Sequence, residues 1–305
     1  MIDGLSGILV PVVTPLEASG APDLASYRRH VQRLLLSGVH GIWVNGTTGE
    51  FAALNELDRA AAVGAAVEQV AGRVPVIAHV GDVYTRPAIA HAVRARSVGA
   101  DFIAAITPFY APHSEKELVS HYARIAEASG GPILLYQHPW THQPPLAPGT
   151  IIKMVQAGIV LGIKESSEDL KYFESLMDAS REARVELRCF HGSALTAMVS
   201  MSLGSSGLIS VLSNLVPEVC VELRNAVMSG DIAQAKNEQS RLCAIIDGIN
   251  AAFTSRDRSA PIVAACKWLL CEEGVIDSDR IAEPLEPLRP EEIEQLRCNV
   301  QPLIQ

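Results

Sequence analysis

The chain has 305 residues, a net charge of −9 and 48% hydrophobic residues, which fits one large soluble core. An acidic chain without a basic cluster repels phosphate backbones, so nucleic acid is not an expected partner. The longest apolar runs are much shorter than the roughly 18 residues that a membrane span requires, so we expect no membrane partner either.

The N-terminal and cysteine patterns both favour a cytoplasmic protein. The first residues contain neither the basic segment nor the apolar stretch of an export signal. The six cysteines are scattered through apolar or helical patterns, as is typical of buried thiols in a reducing compartment. Cys266 and Cys271 have no second pair of cysteines to complete a zinc site.

Short apolar runs alternate with helical patterns from the start of the chain. Strands are predicted over residues 7–13, 41–44, 74–79, 102–106, 132–136, 160–164, 185–190 and 207–211. Helices are predicted between them over residues 23–36, 55–70, 85–97, 114–128, 148–157, 167–179 and 194–202. Asp23 and Asn55 are placed to cap the first and second helices, and Asp58 occupies a capping-box position.

Eight strands, seven of them followed by a helix before the next strand, predict a closed parallel (β/α)8 barrel, the TIM-barrel fold. A doubly wound sheet would need a glycine-rich phosphate turn after the first strand, and Thr14-Pro-Leu-Glu-Ala follows it instead. The chain beyond the eighth strand is helical over residues 217–229, 232–249, 261–273 and 291–300. We therefore predict a barrel carrying the active site in residues 1–215 and closing and appended helices in residues 216–305.

Lys164 stands at the C-terminal end of the sixth predicted strand, after an apolar and glycine-rich run. A strand buried on both faces leaves an ammonium without water, so the lysine must be paired, shifted in pKa or used covalently. A desolvated lysine with a pKa near neutrality is the nucleophile that Schiff-base chemistry needs. The alternative is a side chain that reaches the surface with its charged end.

Other strand ends carry groups that could act with this lysine, because barrel chemistry gathers at the C-terminal ends of the strands. After the second strand, two glycines bracket Thr47 and Thr48, which is typical either of an anion-binding loop or of an ordinary turn. Tyr110 and Tyr136 follow the fourth and fifth strands and are either proton carriers or rim residues. Gly192, after the seventh strand, allows close approach of the backbone.

Four motifs follow in order at the second, fourth, fifth and sixth strand ends. They are GIWVNGTTGE at residues 41–50, TPFY at 107–110, the pair Tyr136 and Pro139, and GIKES at 162–166. With these motifs the chain resembles the dihydrodipicolinate synthase / N-acetylneuraminate lyase family of pyruvate-dependent class I aldolases. The resemblance runs from about Ile8 to the C-terminal helices, and it implies a reaction that needs no cofactor.

The resemblance also implies a role for each catalytic residue. Lys164 would form the Schiff base with the keto carbon of pyruvate or of another 2-oxo acid. Tyr136 would carry protons between intermediates, and Thr47 would link it to Tyr110 in a hydroxyl relay. In this family the tyrosine at the position of Tyr110 is lent by a neighbouring subunit, so activity would need at least a dimer. The resemblance further implies a homotetramer built as a dimer of dimers.

The substrate-binding residues follow from the same resemblance. Thr48 would hold the pyruvate carboxylate with the loop amides, including that of Gly46. Gly192 and Ile209 would line the site through backbone contacts. His138 should face the same side as Tyr136 by strand alternation, which indicates either substrate contact or loop packing.

Two departures bear on the substrate and on metal binding. Thr141 occupies the position at which the synthase branch carries an arginine for the carboxylate of aspartate semialdehyde, and threonine cannot replace a guanidinium there. His138, His142 and His191 put three imidazoles near one predicted mouth. Because His138 and His142 lie in a proline-rich loop and not on one helical face, we expect no metal site.

The sequence therefore predicts reversible aldol cleavage, or dehydration, of a small-molecule 2-oxo acid through an imine on Lys164. The expected substrate is a 2-keto-3-deoxy sugar acid or a similar hydroxylated 2-oxo acid. One alternative is 4-hydroxy-tetrahydrodipicolinate synthase, which condenses pyruvate with aspartate semialdehyde. Another is a catalytically silent sugar-acid-binding protein on the same barrel.

Overall fold

A computed structural model describes residues 5–253 and 261–304 of the chain. Eight parallel strands pair in sequence order, and pairing of the first with the eighth closes the barrel. The strands are β1 Gly7–Pro11, β2 Gly41–Val44, β3 Val76–His79, β4 Phe102–Ile106, β5 Ile133–Gln137, β6 Val160–Glu165, β7 Arg188–His191 and β8 Gly207–Leu208. The predicted (β/α)8 fold is therefore confirmed.

Helices follow the strands and cover the outside of the barrel. The first seven are α1 Leu24–Leu36, α2 Glu56–Val70, α3 Thr85–Ser97, α4 Glu115–Ser129, α5 Pro148–Gln156, α6 Leu170–Ala183 and α7 Ala197–Ser202. The C-terminal ones are α8 Pro217–Ser229, α9 Ile232–Ala252, α10 Pro261–Glu272, α11 Pro290–Asn299 and α12 Gln301–Ile304. In the described part of the chain, none of the helices has the length and apolar character to cross a membrane.

Side-chain caps set where several helices begin. Asp23 accepts hydrogen bonds from the amides of Ala25 and Ser26, and Asn55 does the same at the start of α2, as predicted. The carboxylate of Asp58 accepts from the side-chain amide of Asn55 and not from a backbone N–H, so the predicted capping box is incomplete. Helix α6 begins three residues later than predicted because Asp169, and not Ser167, is its cap.

The eighth strand is shorter than predicted. The Ser210 hydroxyl accepts a hydrogen bond from the amide of Leu212 and starts a 3-10 helix over Val211–Asn214. The apolar run of residues 207–211 therefore divides between a strand and a turn, because a local side-chain bond competes with the sheet ladder.

Strand alternation separates the core into two layers. One cluster lies within the barrel, and a larger one lies between the strands and the helices. Trp43, Tyr136, Phe190 and Ile209 belong to the inner cluster. Tyr136 pairs in register with Lys164 on the neighbouring strand, so the two side chains leave the sheet on the same side.

Buried residues of the C-terminal helices belong to the same outer cluster as the barrel, including Leu242, Ile249, Leu269 and Leu296. The helices after β8 are thus packed on the barrel as the sequence predicts. The division into residues 1–215 and 216–305 stays a prediction, since the apolar core is continuous across it.

Candidate active site

A cavity of about 330 Å³ lies at the strand ends where the sequence places the chemistry. Most of the predicted site residues line this cavity. They are Thr47, Thr48, Tyr136, His138, Lys164, Gly192 and Ile209. The barrel topology thus gathers side chains from five separate strand ends around one space.

Lys164 is buried, with 5% of its surface exposed. Its Nζ lies 4.3 Å from the ring centroid of Tyr136 and 5.3 Å from that of Trp43. Burial lowers the pKa of Lys164 to about 7, and no carboxylate among the described residues forms a salt bridge with it. The alternative of a lysine reaching the surface is wrong, and a large part of the amine is neutral near pH 7.

Tyr136 presents a protonated phenol beside this amine. Its hydroxyl lies 3.2 Å from the Thr47 Oγ1 atom. Burial raises the pKa of Tyr136 to about 12, although the hydrogen bond to Thr47 works in the opposite direction. The phenol can therefore pass a proton to or from a bound molecule without being ionised at rest.

The loop between β2 and the 3-10 helix Phe51–Ala53 has, at both ends, a backbone conformation that residues other than glycine rarely adopt. Asn45 and Glu50, at its two ends, have φ angles of 57° and 55° in the left-handed region. The side-chain amide of Asn45 donates to the carbonyl of Arg59, and Glu50 accepts from the amide of Ala282. Contacts with distant elements thus stabilise the loop that carries Thr47 and Thr48.

Glycine is required in this loop and at the end of β7 because other atoms lie very close. A Cβ atom on Gly46 would lie 2.9 Å from Nε1 of Trp43. A Cβ on Gly192 would lie 1.9 Å from Oγ and 2.7 Å from Cβ of Ser166, so Ser166 would have to move. Both glycines let the backbone approach the site closely.

His138 lies on the same side as Tyr136, as strand alternation predicts, with 5.8 Å between the two ring centroids. Its Nδ1 atom accepts a hydrogen bond from the amide of Trp140 at 3.1 Å. Burial, with Lys164 as the smaller cause, lowers the pKa of His138 to about 4, so the ring is neutral near pH 7.

Comparison with known proteins agrees with this geometry. The dihydrodipicolinate synthetase family model matches residues 4–303. The chain belongs to this family. It is 34% identical to an uncharacterized DapA-like lyase of Halobacterium salinarum, covering 93% of this chain and 90% of the relative. It is 33% identical to the 4-hydroxy-tetrahydrodipicolinate synthase of Pseudomonas aeruginosa, with 96% of each chain covered.

A solved structure gives the same result in three dimensions. YagE, a prophage protein of the dihydrodipicolinic acid synthase family from E. coli K12, was crystallised in complex with pyruvate. It aligns with a TM-score of 0.90 at 28% identity over 98% of both chains. The resemblance drawn from the motifs is confirmed, and this family member is a pyruvate-dependent Schiff-base lyase.

Thr141 lies outside the cavity that holds Lys164. Its hydroxyl donates to the carbonyl of His138 at 2.9 Å and accepts from the hydroxyl of Thr107 at 3.1 Å. It lines a neighbouring cavity of about 460 Å³. In this family member the residue at the arginine position is thus used within the loop, and a substrate-binding role for Thr141 stays a prediction.

Tyr110 is the predicted catalytic residue that the chain does not bring to its own cavity. Its side chain is 81% exposed, in the loop between β4 and α4. Within residues 5–253 and 261–304, no hydrogen bond joins Tyr110 to Thr47. Its predicted role requires a second subunit.

The prediction that three imidazoles gather at the mouth is wrong for His191. Strand β7 continues to His191, so alternation turns this side chain away from the barrel interior that holds Phe190. The ring is fully buried, lies 5.4 Å from that of Phe173, and its Nε2 is 2.7 Å from the Thr196 hydroxyl. His142 lines the neighbouring cavity. No group of three metal-ligating side chains occurs in the described chain.

Several residues at or beside the cavity were not predicted. Trp43, whose ring lies near the Lys164 amine, could have been found from the alternation of residues 42–44. Ser166, Glu168 and Ser193 belong to the loops that follow β6 and β7. Asn250 comes from α9, far along the chain, and carries no local signal.

Proposed function

We propose that this lyase catalyses reversible aldol cleavage of a 2-keto-3-deoxy sugar acid, or of a similar hydroxylated 2-oxo acid, through an imine on Lys164. The observation that carries the proposal is a buried lysine amine beside the Tyr136 ring in an open cavity, with no carboxylate partner among the described residues. A neutral amine attacks a keto carbon, whereas an ammonium has no lone pair for the attack.

The chemical steps balance with pyruvate as one product. The Lys164 amine adds to C2 of the 2-oxo acid, and loss of water leaves an iminium. The C4 hydroxyl then loses its proton, the C3–C4 bond breaks, and its electron pair moves to the iminium to give an enamine and a free aldehyde. Protonation of the enamine at C3 and hydrolysis release pyruvate and the amine.

Tyr136 is the proposed proton carrier for these steps, with Thr47 as its hydrogen-bond partner. Thr48 and the amide of Gly46 are proposed to hold the carboxylate at C1, since loops of this kind suit anions. Gly192 and Ile209 are proposed to line the site through their backbones.

Dehydration is a second outcome of the same imine. Loss of the C3 proton gives the enamine, which expels the C4 hydroxyl as water after protonation. Both outcomes use the same lysine, so the identity of the products distinguishes them.

The synthase activity is a further candidate, because many relatives carry that name. It needs a group for the carboxylate of aspartate semialdehyde, and the Thr141 hydroxyl is engaged with His138 and Thr107. A silent sugar-acid-binding protein is the remaining candidate, and the retained pair of Tyr136 and Thr47 argues against it.

We also propose a cytoplasmic homotetramer, a dimer of dimers in which Tyr110 completes the relay of the neighbouring subunit. The exposed position of Tyr110 and the six free cysteines support these proposals. Mixing Tyr110→Phe with Lys164→Ala chains should restore activity, since one site in each mixed dimer is intact. Mixed dimers without activity would mean that Tyr110 acts within its own barrel or not at all.

Trapping with pyruvate and borohydride tests the covalent step. The proposal expects one reduced pyruvyl adduct at Lys164 by peptide mass, and Lys153 and Lys171 serve as internal controls. An adduct elsewhere, or none, contradicts the mechanism. A screen of hydroxylated 2-oxo acids for pyruvate release, run beside aspartate semialdehyde, then identifies the substrate.

A further inference from the structure

The cavity contains a second set of polar groups that the imine chemistry leaves unused. His138, Glu168, Ser193 and Asn250 line it together with Lys164. Among the described residues, Glu168 is the acidic side chain of this cavity and Lys164 the basic one. Once the lysine carries the iminium, the remaining fixed charge on the described lining is the Glu168 carboxylate.

Glu168 occupies a backbone conformation that normally favours glycine. Its φ angle is 64°, in the left-handed region, between β6 and the cap of α6. Such outliers persist where surrounding structure holds them, and they cluster at ligand sites. A glycine would adopt this turn without strain, so the turn itself does not explain the carboxylate.

Ser193 holds one oxygen of this carboxylate. The Ser193 hydroxyl donates to Oε1 of Glu168 at 2.7 Å and accepts from the amide of Leu195 at 3.2 Å. Since the amide requires an oxygen lone pair, the hydroxyl proton is left for Glu168. The second oxygen, Oε2, accepts no hydrogen bond from the described residues, and because the residue is exposed this oxygen is accessible to a ligand that enters the cavity.

His138 supplies a donor on the same cavity. Its Nδ1 accepts from the amide of Trp140, so in the neutral ring the proton is on Nε2. Its low pKa keeps the ring neutral near pH 7. An acceptor on Glu168, a donor on His138 and the amide of Asn250 form a set suited to several hydroxyls, each of which both donates and accepts.

We propose that Glu168, positioned by Ser193, selects an uncharged, polyhydroxylated aldehyde as the second half of the substrate and disfavours carboxylate- or phosphate-bearing aldehydes. This inference rests on the proposed imine chemistry and adds the substrate class. A carboxylate accepts hydrogen bonds from hydroxyls and repels an anion at the same distance. Glu168 is exposed, so both effects act at the solvent-accessible part of the cavity.

The test measures aldol addition of pyruvate to glyceraldehyde, to glyceraldehyde 3-phosphate and to propionaldehyde, which lacks hydroxyls. In Glu168→Gln we expect kcat/KM with glyceraldehyde to fall about tenfold, because the charged acceptor is lost. With the phosphate we expect a rise of about threefold to tenfold. With propionaldehyde we expect little change. Ser193→Ala should lower the ratio of kcat/KM for glyceraldehyde to kcat/KM for glyceraldehyde 3-phosphate as well, by a smaller factor.

Glu174→Gln is the matched control, because Glu174 is exposed on α6 and its substitution removes the same charge outside the cavity. We expect Glu174→Gln to leave the ratio of kcat/KM for glyceraldehyde to kcat/KM for glyceraldehyde 3-phosphate unchanged. If Glu168→Gln also leaves this ratio unchanged, Glu168 only joins two loops and the inference is wrong.

Borohydride trapping of pyruvate separates this result from failure of the proposed function. It should remain complete in Glu168→Gln, since the carboxylate is assigned no part in imine formation. If Glu168→Gln is trapped completely and its preference between the two hydroxylated aldehydes is unchanged, the proposed role of Glu168 is wrong and the imine mechanism stands. Absence of trapping in the unchanged protein overturns both proposals. Circular dichroism of each variant verifies folding, and Ser193→Ala provides the answer if Glu168→Gln does not fold.

Discussion

Two regions of the molecule each bury a lysine, and the two lysines differ in the groups that surround the amine. Lys164 at the end of β6 is 5% exposed, and Lys267 in α10 is completely buried. Lys267 forms a salt bridge with Glu50 and donates to the carbonyl of Arg280 at 2.8 Å. Lys164 has two aromatic rings near its amine and no carboxylate among the described residues.

This difference teaches that burial alone does not make a nucleophile. Burial lowers the pKa of both lysines, but at Lys267 the neighbouring Glu50 opposes the effect. An ion pair favours the charged ammonium, which has no lone pair to give. At Lys164 no carboxylate of the described residues opposes burial, so the pKa falls to about 7.

The ion pair of Lys267 also contacts the loop that borders the cavity of Lys164. Glu50 accepts from the amide of Ala282 and pairs with Lys267, so the C-terminal segment is connected to the loop that carries Thr47 and Thr48. Lys164 is the proposed nucleophile, and Lys267 stabilises the loop beside it.

The largest expected effect comes from Lys164→Met. Activity should fall by about 10⁴-fold or more, because removal of a covalent nucleophile eliminates the pathway. The melting temperature should stay the same or rise, since a desolvated amine is replaced by an apolar chain of similar length. Steady-state kinetics and thermal unfolding measure the two. Activity within tenfold of the unchanged protein would reject Lys164 as the nucleophile.

Lys267→Met should mainly reduce stability. It leaves the Glu50 carboxylate buried without its partner, which costs about 3–5 kcal/mol in the free energy of unfolding. Urea unfolding measures the loss. Adding Glu50→Gln should recover part of it, because the amide oxygen still accepts from Ala282 and carries no charge.

The folded fraction of Lys267→Met should still form the pyruvate adduct at Lys164. A variant that is fully stable but cannot be trapped would contradict the comparison, because Lys267 would then take part in the chemistry.

The smallest effect is a difference in pH dependence. Because the neutral amine is the reactive form, kcat/KM should fall about tenfold per pH unit below a midpoint near 7 and level off above it. The midpoint follows from the lowered pKa of Lys164. Lys267→Met should keep the same midpoint, since its ammonium is not titrated in the reaction. A midpoint above 9 would show that Lys164 is paired in solution.

Alternation and local capping explain why the fold was predictable. Each strand is a short apolar run, and residues such as Asp23 and Asn55 mark helix starts within a few residues of sequence. The errors lie at boundaries. Ser210 ends β8 early through a local hydrogen bond, and β7 continues through His191, so strand alternation turns this ring away from the barrel interior that holds Phe190.

Within the site, the residues at the strand ends were predictable because the barrel requires these ends to meet. Lys164, Tyr136 and Thr47 are each carried by a motif, and the register of β5 with β6 places the first two side by side. Glu168 and Asn250 line the same cavity without a motif, since their positions depend on how a loop and a distant helix pack.

The sequence by itself determined the barrel, the order of its strands and the lysine at the end of the sixth, because hydrophobic period and strand-end chemistry are local properties of a chain. Only the tertiary structure decided that Lys267 pairs with Glu50, whereas Lys164 has no carboxylate partner in the part of the chain that the structure describes. Lys267 and Glu50 are more than two hundred residues apart in the chain. The protonation of each lysine depends on which side chains the folded barrel brings within a few ångströms of it.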